Sequence, residues 1–352
     1  MTLRDYIESF DPSDPTISQP YIIAEAGVNH EGSMDLAKRL IEEAKEGGAD
    51  AIKFQTYKAE TIAVKESPSY WDLSKEATTS QFQLFKKYDK FWKNEYETLK
   101  IYCDQFGIEF LSTPFDTKSA DFLNDLMGVF KISSSDITNK PFIEYLCDFK
   151  KPILLSTGAA NMDEITQATD WINKKGNTLS LMHCILNYPT ENQNANLGMI
   201  IDLKKQFPSL MIGYSDHTLP EDMETLEIAT LLGAKILEKH FTFDKTLPGN
   251  DHYHSMDKED LKGFIKSVEL ILGKTGSFVK KPLPSENLSR QNARRSLVTA
   301  TNLEKGTIIN HKHLTWKRPA SGISPVEIDS VIGKMAKEDI QEDTILTWDL
   351  IG

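Results

Sequence analysis

The stretch YIIAEAGVNHEGSMDLAKRLIEEAKEGGADAIKFQTY, residues 21–57, decides the architecture. Tyr21–Ala26 is a short apolar run, Met34–Glu46 is amphipathic at helical spacing, and Ala51–Thr56 is apolar again. Strand, helix, strand is a βαβ unit, and its two strands must be parallel. The alternation continues down the chain. Further strands are expected at Glu109–Thr113, Val129–Ser134, Pro152–Ser156, Thr178–Cys184, Leu210–Ser215 and Lys235–His240. Amphipathic segments lie between them, at Glu95–Phe106, Ser119–Leu126, Met162–Lys174 and Glu221–Leu232. Eight such units in about 250 residues match the count and length of a TIM (β/α)8 barrel. One connection breaks the rhythm: Tyr57 to Lys93 holds Tyr70, Trp71, Phe82, Phe85 and Tyr88 among charges. A connection that long within a compact domain is usually functional.

The character changes after Lys274. Residues 275–292, with Pro282 and Pro284 and no apolar period, read as a linker. Residues 293–352 carry short strands, Ser296–Ala300, Thr307–Ile309 and Leu314–Lys317, broken by Gly, Pro and Asn. That is a second module, marginal in size on its own. The expected division is therefore an N-terminal extension 1–20, a barrel 21–274, a linker 275–292 and a small C-terminal module 293–352.

Composition bounds the function. Of 352 residues, 39% are hydrophobic and 26% charged, the balance of a globular protein with an ample core. There is no apolar run long enough to span a membrane and no secretory signal at the start. Three scattered cysteines, Cys103, Cys147 and Cys184, form no disulfide framework and fit a reducing cytoplasm. A net charge of −12 disfavours nucleic acid or an anionic membrane as partner. Any attraction for an anionic substrate must be local to its site.

In a parallel barrel the C-terminal strand ends form the active face. Here those ends carry Glu25, Asn29 and His30; Lys53 and Gln55; Ser112 and Thr113; Lys131, Ser134 and Asp136; Ser156 and Thr157; His183, Asn187 and Tyr188; Ser215, Asp216 and His217; and Glu238, Lys239 and His240. Two lysines among hydroxyls make a phosphate and carboxylate site: the lysines supply charge and the hydroxyls oriented donors. A lysine facing a barrel interior is costly unless an anion or carboxylate neutralises it. His217 and His240 end adjacent strands, close enough to chelate Mn²⁺, Zn²⁺, Fe²⁺ or Co²⁺ with substrate oxygens and water; His30, His252 and His254 compete for the role. Glu238 shares a face with His240 as ligand, supporting partner or base. Asp251 sits in a Pro-Gly-Asn-Asp loop, where it either binds sugar hydroxyls or stabilises the turn. Cys184 reads as a buried structural thiol.

The strand-end motifs, in order, are IIAEAGVNHEGS (22–33), GADAIKFQTY (48–57), FLSTPFD (110–116), KISSSDI (131–137), LLSTGA (154–159), HCILNYPT (183–190), GYSDHT (213–218), EKHFT (238–242) and LPGNDH (247–252), followed by ARRSL (293–297). Together they resemble the sialic acid synthase family, over nearly the whole chain from Tyr21. The tail, with GT at 306–307 and RPASGISP at 318–325, resembles the antifreeze-like (SAF, β-clip) module that follows the barrel in that family. The resemblance implies a transferase that condenses phosphoenolpyruvate with an N-acetyl-aminosugar and releases phosphate. It implies that Lys53, Thr113, Lys131, Ser134, Ser156 and Ser215 hold phosphoenolpyruvate. His217 and His240 would hold a divalent metal, with Mn²⁺ the first choice and Mg²⁺ or Co²⁺ as alternatives. Glu25, Gln55, Asp136, Tyr188, Glu238 and Asp251 would face the sugar or the reacting centre. Arg295, with Arg294 as fallback, would reach the barrel of the other subunit in a domain-swapped homodimer.

Two positions depart from the members that make N-acetylneuraminate. Asp136 stands where they usually show Glu, and Leu186 where a polar residue can touch phosphoenolpyruvate. The first expectation is an N-acetylneuraminate synthase acting on N-acetylmannosamine. The alternative keeps the reaction and takes a diacetamido-trideoxyhexose, giving a legionaminic- or pseudaminic-acid synthase. A phosphorylated acceptor, as in octulosonate phosphate synthases, is disfavoured by the tail module. A non-catalytic carbohydrate-binding barrel would have lost lysine or histidine positions, and all are present.

Overall fold

The computed structural model describes every residue except 222 and 250. The chain forms two compact units, Met1–Phe278 and Val279–Gly352. The first holds eight strands: β1 (Tyr21–Gly27), β2 (Ala51–Thr56), β3 (Glu109–Pro114), β4 (Phe130–Ile132), β5 (Ile153–Ser156), β6 (Leu179–Cys184), β7 (Met211–Asp216) and β8 (Ile236–His240). They pair in the order β3-β2-β1-β8-β7-β6-β5-β4, all in parallel. Pairing of β1 with β8 joins the first strand to the last, so the sheet curls into a nearly closed TIM-like barrel with its seam between β3 and β4.

Local sequence explains the elements. Helix Met34–Gly47 begins where the Ser33 hydroxyl accepts the Leu36 N–H and ends at Gly48, whose φ of 97° only glycine adopts readily. Its Ala37, Leu40, Ile41 and Ala44 are buried against the barrel. The expected strand Val129–Ser134 is shorter than its apolar content suggests. The Ser133 hydroxyl accepts the Ser135 N–H and turns the chain into a single 3-10 turn, Ser134–Asp136. Residues 1–20 are not merely appended. Helix Leu3–Glu8 buries Leu3 and Ile7 in the barrel core, and the Leu3 N–H and Tyr21 hydroxyl both donate to Glu109 Oε2 at 2.6 Å.

Side-chain alternation splits each strand between pocket and helix layer. Of the polar residues at the strand ends, Ser112, His183, Asp216 and Lys239 face away from the pocket. Ser112 meets Thr56 at 2.6 Å, and His183 meets the Ala195 carbonyl at 2.9 Å. Asp216 and Lys239 form a fully buried ion pair of 2.6 Å. Asp216 also accepts from the Tyr214 hydroxyl (2.8 Å), the Thr218 N–H (2.9 Å) and the Thr218 hydroxyl (3.0 Å), while Lys239 donates to the Thr218 carbonyl. This network pins the chain on either side of His217.

The second unit has its own core of Leu297, Ile309, Val331 and Leu346, all fully buried. Strands β9 (Ser296–Thr299) and β10 (Leu314–Lys317) pair antiparallel. Thr307–Ile309 makes only a single bridge, Ile308 with Met335, and is not a strand. The stretch read as a linker carries helix Asn287–Ala293, fastened where the Gln291 carbonyl accepts the Ala320 N–H at 2.8 Å. Among the described residues no helix is long and apolar enough to cross a membrane.

The Asp216–Lys239 pair yields a stability prediction. Burial favours the neutral form of Asp216, but Lys239 and the hydrogen bonds outweigh it and hold the carboxyl below its ordinary value of 3.8. Its contribution is therefore present above that value and lost as pH falls below it. Lys239→Ala, leaving the carboxylate buried without its cation, should cost about 3–5 kcal/mol in urea unfolding at pH 7. The pairwise replacement Asp216→Asn with Lys239→Met should cost clearly less. Equal losses in the two variants would show that the pair is not what matters.

Candidate active site

The C-terminal ends of the barrel strands converge on a small inner pocket of about 60 Å³. Glu25 from β1, Lys53 and Gln55 from β2, Thr113 from β3, Lys131 from β4, Ser156 from β5, Ser215 from β7, and Glu238 and His240 from β8 all line it. Ser134, Tyr188 and His217 join from the segments just beyond their strands. Asp136 and Asp251 line an outer cavity of about 720 Å³ that shares Gln55, Tyr188 and His240 with the inner one. The expected site residues of the barrel thus come together. Arg294 and Arg295 lie in the second unit, and both are exposed.

Four buried charges dominate the inner pocket. Lys131 Nζ donates to Glu238 Oε1 at 2.9 Å, and the Ser215 hydroxyl donates to the same oxygen at 3.0 Å. Lys53 is in direct ion contact with Glu25, donates to the Thr113 hydroxyl at 2.9 Å, and stands 3.7 Å from Glu238 Oε2. Gln55 Nε2 donates to Glu25 Oε1 at 3.1 Å. Burial alone would raise both carboxyls. For Glu238 the two lysines overcome burial and hold it down at about 2. For Glu25 burial wins, with Lys53 opposing and Glu238 adding repulsion, and the carboxyl is pushed up to about 7. One carboxylate is thus fixed as an anion and the other is poised near neutrality, although both sit on one wall. Among the hydroxyls, that of Ser156 is buried with no hydrogen-bond partner among the described residues, a donor held ready for an incoming oxygen.

Backbone shape matters at Gly158. Its N–H donates to the Ser134 hydroxyl at 2.9 Å, and a Cβ there would fall 2.8 Å from that oxygen and 3.1 Å from Cys184 Sγ. Only glycine lets the β5 end close against the pocket. Burial pushes the Cys184 thiol up to about 11, so it is a neutral wall and not a nucleophile.

The histidines form the other half of the site. His217 donates from Nδ1 to the Ile185 carbonyl at 2.8 Å, the fixing contact characteristic of a ligating histidine. Its ring centroid is 5.4 Å from that of His240, and the Tyr188 ring packs on it, tilted by 39°, at 4.2 Å. The expected pair is therefore side by side. On its other neighbours, His240 groups with Asp251 and His254, whose donor atoms and its own lie within 4.8 Å of one another. Nδ1 of His240 and both nitrogens of His254 are buried without a hydrogen-bond partner among the described residues. Orphaned imidazole nitrogens beside a carboxylate fit a divalent transition metal. Of the competitors, His30 stacks on Phe91 at 4.2 Å and His252 bonds the Thr242 hydroxyl at 2.7 Å, so both have structural roles.

The outer cavity is walled on one side by the long connection after β2, through Tyr57, Ile62, Tyr70, Trp71, Leu84, Phe85 and Tyr88, with Phe115 and Leu186 alongside. The opposite side is polar: Gln55, Asp136, Asn139, Asn187 and Asp251. Leu186 belongs to this cavity and not to the inner pocket. Of these, Asn139 and Phe115 are not among the site residues expected from sequence; Asn139 follows KISSSDI by two residues and Phe115 lies within FLSTPFD, and that was the available signal.

The chain is similar to known proteins. The NeuB family model matches residues 40–280, and the SAF domain model matches residues 294–352. The N,N'-diacetyllegionaminic acid synthase of Legionella pneumophila is 40% identical over 340 residues, covering 94% of each chain. Human N-acetylneuraminate-9-phosphate synthase is 32% identical over 94% of this chain and 92% of its own. The crystal structure of the N-acetylneuraminic acid synthetase of Leptospira borgpetersenii, in complex with citrate, superimposes with a TM-score of 0.69 at 35% identity, over 77% of this chain and 90% of that one. With its barrel, its SAF domain and this strand-end site, the chain belongs to the NeuB family of sialic (nonulosonic) acid synthases, which are enzymes.

Proposed function

We propose that this enzyme condenses phosphoenolpyruvate with a 2,4-diacetamido-trideoxyhexose of the legionaminic-acid type and releases phosphate. The carrying observation is the outer cavity. Its apolar wall of Tyr57, Ile62, Leu84, Phe85, Phe115 and Leu186 suits a sugar with a methyl at C6 and a second acetamido methyl, groups that N-acetylmannosamine replaces with hydroxyls. The 40% identity to a relative named for diacetyllegionaminic acid supports the same reading. N-acetylmannosamine, the first expectation from sequence, becomes the second choice.

In this reading the inner pocket takes phosphoenolpyruvate. Lys53 and Lys131 meet its carboxylate and phosphate as preorganised cations, and Thr113, Ser134, Ser156 and Ser215 supply donors. His217 and His240 would hold a divalent ion, which would supply Lewis acidity to the aldehyde oxygen of the open-chain sugar. C3 of phosphoenolpyruvate attacks the aldehyde carbon, leaving an oxocarbenium at C2. Glu25, with its carboxyl near neutrality, accepts a proton from the water that adds at C2. Glu238 stays ionised, holding the lysines in place. The tetrahedral carbon then expels phosphate by cleavage of its C–O bond. Asp136, Tyr188 and Asp251 position the sugar. The chain works as a homodimer in which the exposed Arg295, or Arg294, of one subunit completes the other's sugar site.

Three measurements test this reading. Phosphate release from phosphoenolpyruvate, measured over a panel of acceptors, should be fastest in kcat/KM with the diacetamido sugar. A preference for N-acetylmannosamine would return the reading to N-acetylneuraminate synthesis. Lys53→Ala and Lys131→Ala should each cost about 2–5 kcal/mol in kcat/KM with every acceptor; near wild-type values would remove the lysines from the anion site. The pH profile of kcat/KM should rise through about 7, since the active form of Glu25 is the ionised one. Glu25→Gln should lose that limb and about 10²–10⁴-fold in rate. An unchanged limb in the variant would assign the titration to another group.

A further inference from the structure

We infer that the turn closing β1 sets Asp251 in the outer cavity, with Asn29 as a positioning residue that acts on Asp251 through Ser255. The inference deepens the reading above and rests on it in taking Asp251 to face the acceptor sugar. Its parts come from the motif AEAGVNHEG (24–32), in which Gly27 and Asn29 have no role in the anion pocket.

Asp251 is a side chain that needs fastening. It lies between β8 and helix Lys258–Thr275, where the described residues form neither strand nor helix, and its side chain is 20% exposed. A group on such a stretch holds its place only if the loop is tied down. Backbone bonds pin the far end of the loop. The Met256 N–H donates to the His240 carbonyl at 2.8 Å, and the Thr242 N–H donates to the Met256 carbonyl at 2.9 Å. They fix the chain at Met256 and leave Asp251 itself to other contacts.

Asn29 supplies the tether. It is buried, and its own N–H donates to the Ala26 carbonyl at 2.9 Å, which holds the turn. Its Nδ2 donates to the Phe241 carbonyl at 3.0 Å and to the Ser255 hydroxyl at 3.2 Å. The Ser255 hydroxyl donates in turn to the Asp251 carbonyl. One amide therefore joins the end of β1, the end of β8 and the loop that carries Asp251. Buried as it is, it would cost more than it contributes if either acceptor were missing.

Gly27 supplies the room. A β-bulge separates Glu25, opposite Lys53, from Gly27, opposite Phe54, and bends the end of β1. Gly27 has a φ of 51°, which glycine adopts without strain. A Cβ on it would lie 3.3 Å from Gln55 Nε2, 3.4 Å from Glu25 Oε1 and 3.7 Å from Asp251 Oδ2. The Asp251 carboxylate thus rests over bare backbone beside Gln55, which lines both the inner pocket and the outer cavity.

A double-mutant cycle on the full chain tests the inference. Initial rates are measured at saturating Mn²⁺ with 2,4-diacetamido-trideoxyhexose and with N-acetylmannosamine in turn, so the result does not depend on which acceptor is preferred. Asn29→Ala should raise KM for the acceptor about tenfold and leave KM for phosphoenolpyruvate unchanged. Ser255→Ala keeps the bond from Asn29 to Phe241 and breaks only the relay, and it should shift the acceptor KM in the same direction. Hydrogen exchange should quicken over residues 243–256 in both variants and stay slow in the barrel strands. In an Asp251→Ala background, Asn29→Ala should add almost nothing to the acceptor KM. Additive effects of Asn29→Ala and Asp251→Ala would overturn the inference alone. So would a loss of kcat with both KM values unchanged, the mark of a merely structural role. If Asn29→Ala does not fold, the Ser255→Ala cycle with Asp251→Ala decides in its place. An unchanged acceptor KM in Asp251→Ala would remove Asp251 from the sugar site, and the inference would fall with that part of the reading.

Discussion

Two lysines and two glutamates share one buried pocket, and the charge balance among them constrains everything else at this end of the barrel. Any one of the four, buried alone, would cost several kcal/mol. Together they neutralise one another: Glu238 lies between Lys131 and Lys53, and Lys53 is held in turn by Glu25. Glu238 and Glu25 overcome burial and raise the Lys53 pKa, which keeps it a cation. An anion entering the pocket must take the lysines from carboxylates already in place. The chain's net charge of −12 gives no help with this, so in the proposed reaction selectivity for an anion would reside in these two ammonium groups and the hydroxyls around them.

The same strands that point these charges inward use their other face to hold the geometry. On β7 and β8, Ser215, His217, Glu238 and His240 face the pocket, while Tyr214, Asp216 and Lys239 form a buried polar network behind them. Reactive groups placed on strands and backed by packed, hydrogen-bonded partners keep their positions better than groups on free loops. The exception is Asp251, which comes from a loop, but one tied to the β8 end by backbone hydrogen bonds on both sides of its return.

Much of this was legible in the sequence because a parallel barrel has a simple grammar. Apolar runs mark strands, and alternation places Lys53 with Gln55, or Glu238 with His240, on one face. The same rule, applied to every polar residue at a strand end, overreaches. Asp216, Lys239 and His183 have the opposite parity and face the helix layer, a distinction that needs the register and not just the run. His254 carried no spacing signal, because its place depends on where the chain returns beside His240, and only the Met256 pairing fixes that. Strand β4 was overextended because Ser133, Ser134 and Ser135 look neutral toward extended backbone, yet a side-chain hydrogen bond turns them. Helix Asn287–Ala293 was unreadable for a different reason: it buries none of its residues, so it has no apolar stripe to see.

The central claim is that this pocket makes a carbon–carbon bond from phosphoenolpyruvate and releases phosphate by breaking the C–O bond at C2. Phosphoenolpyruvate labelled with ¹⁸O in the bridging oxygen tests it directly. In turnover with a diacetamido acceptor, the label should leave entirely in inorganic phosphate, and the C2 oxygen of the nine-carbon product should come from water. Label retained in the organic product would mean that the P–O bond breaks instead, and would contradict the account.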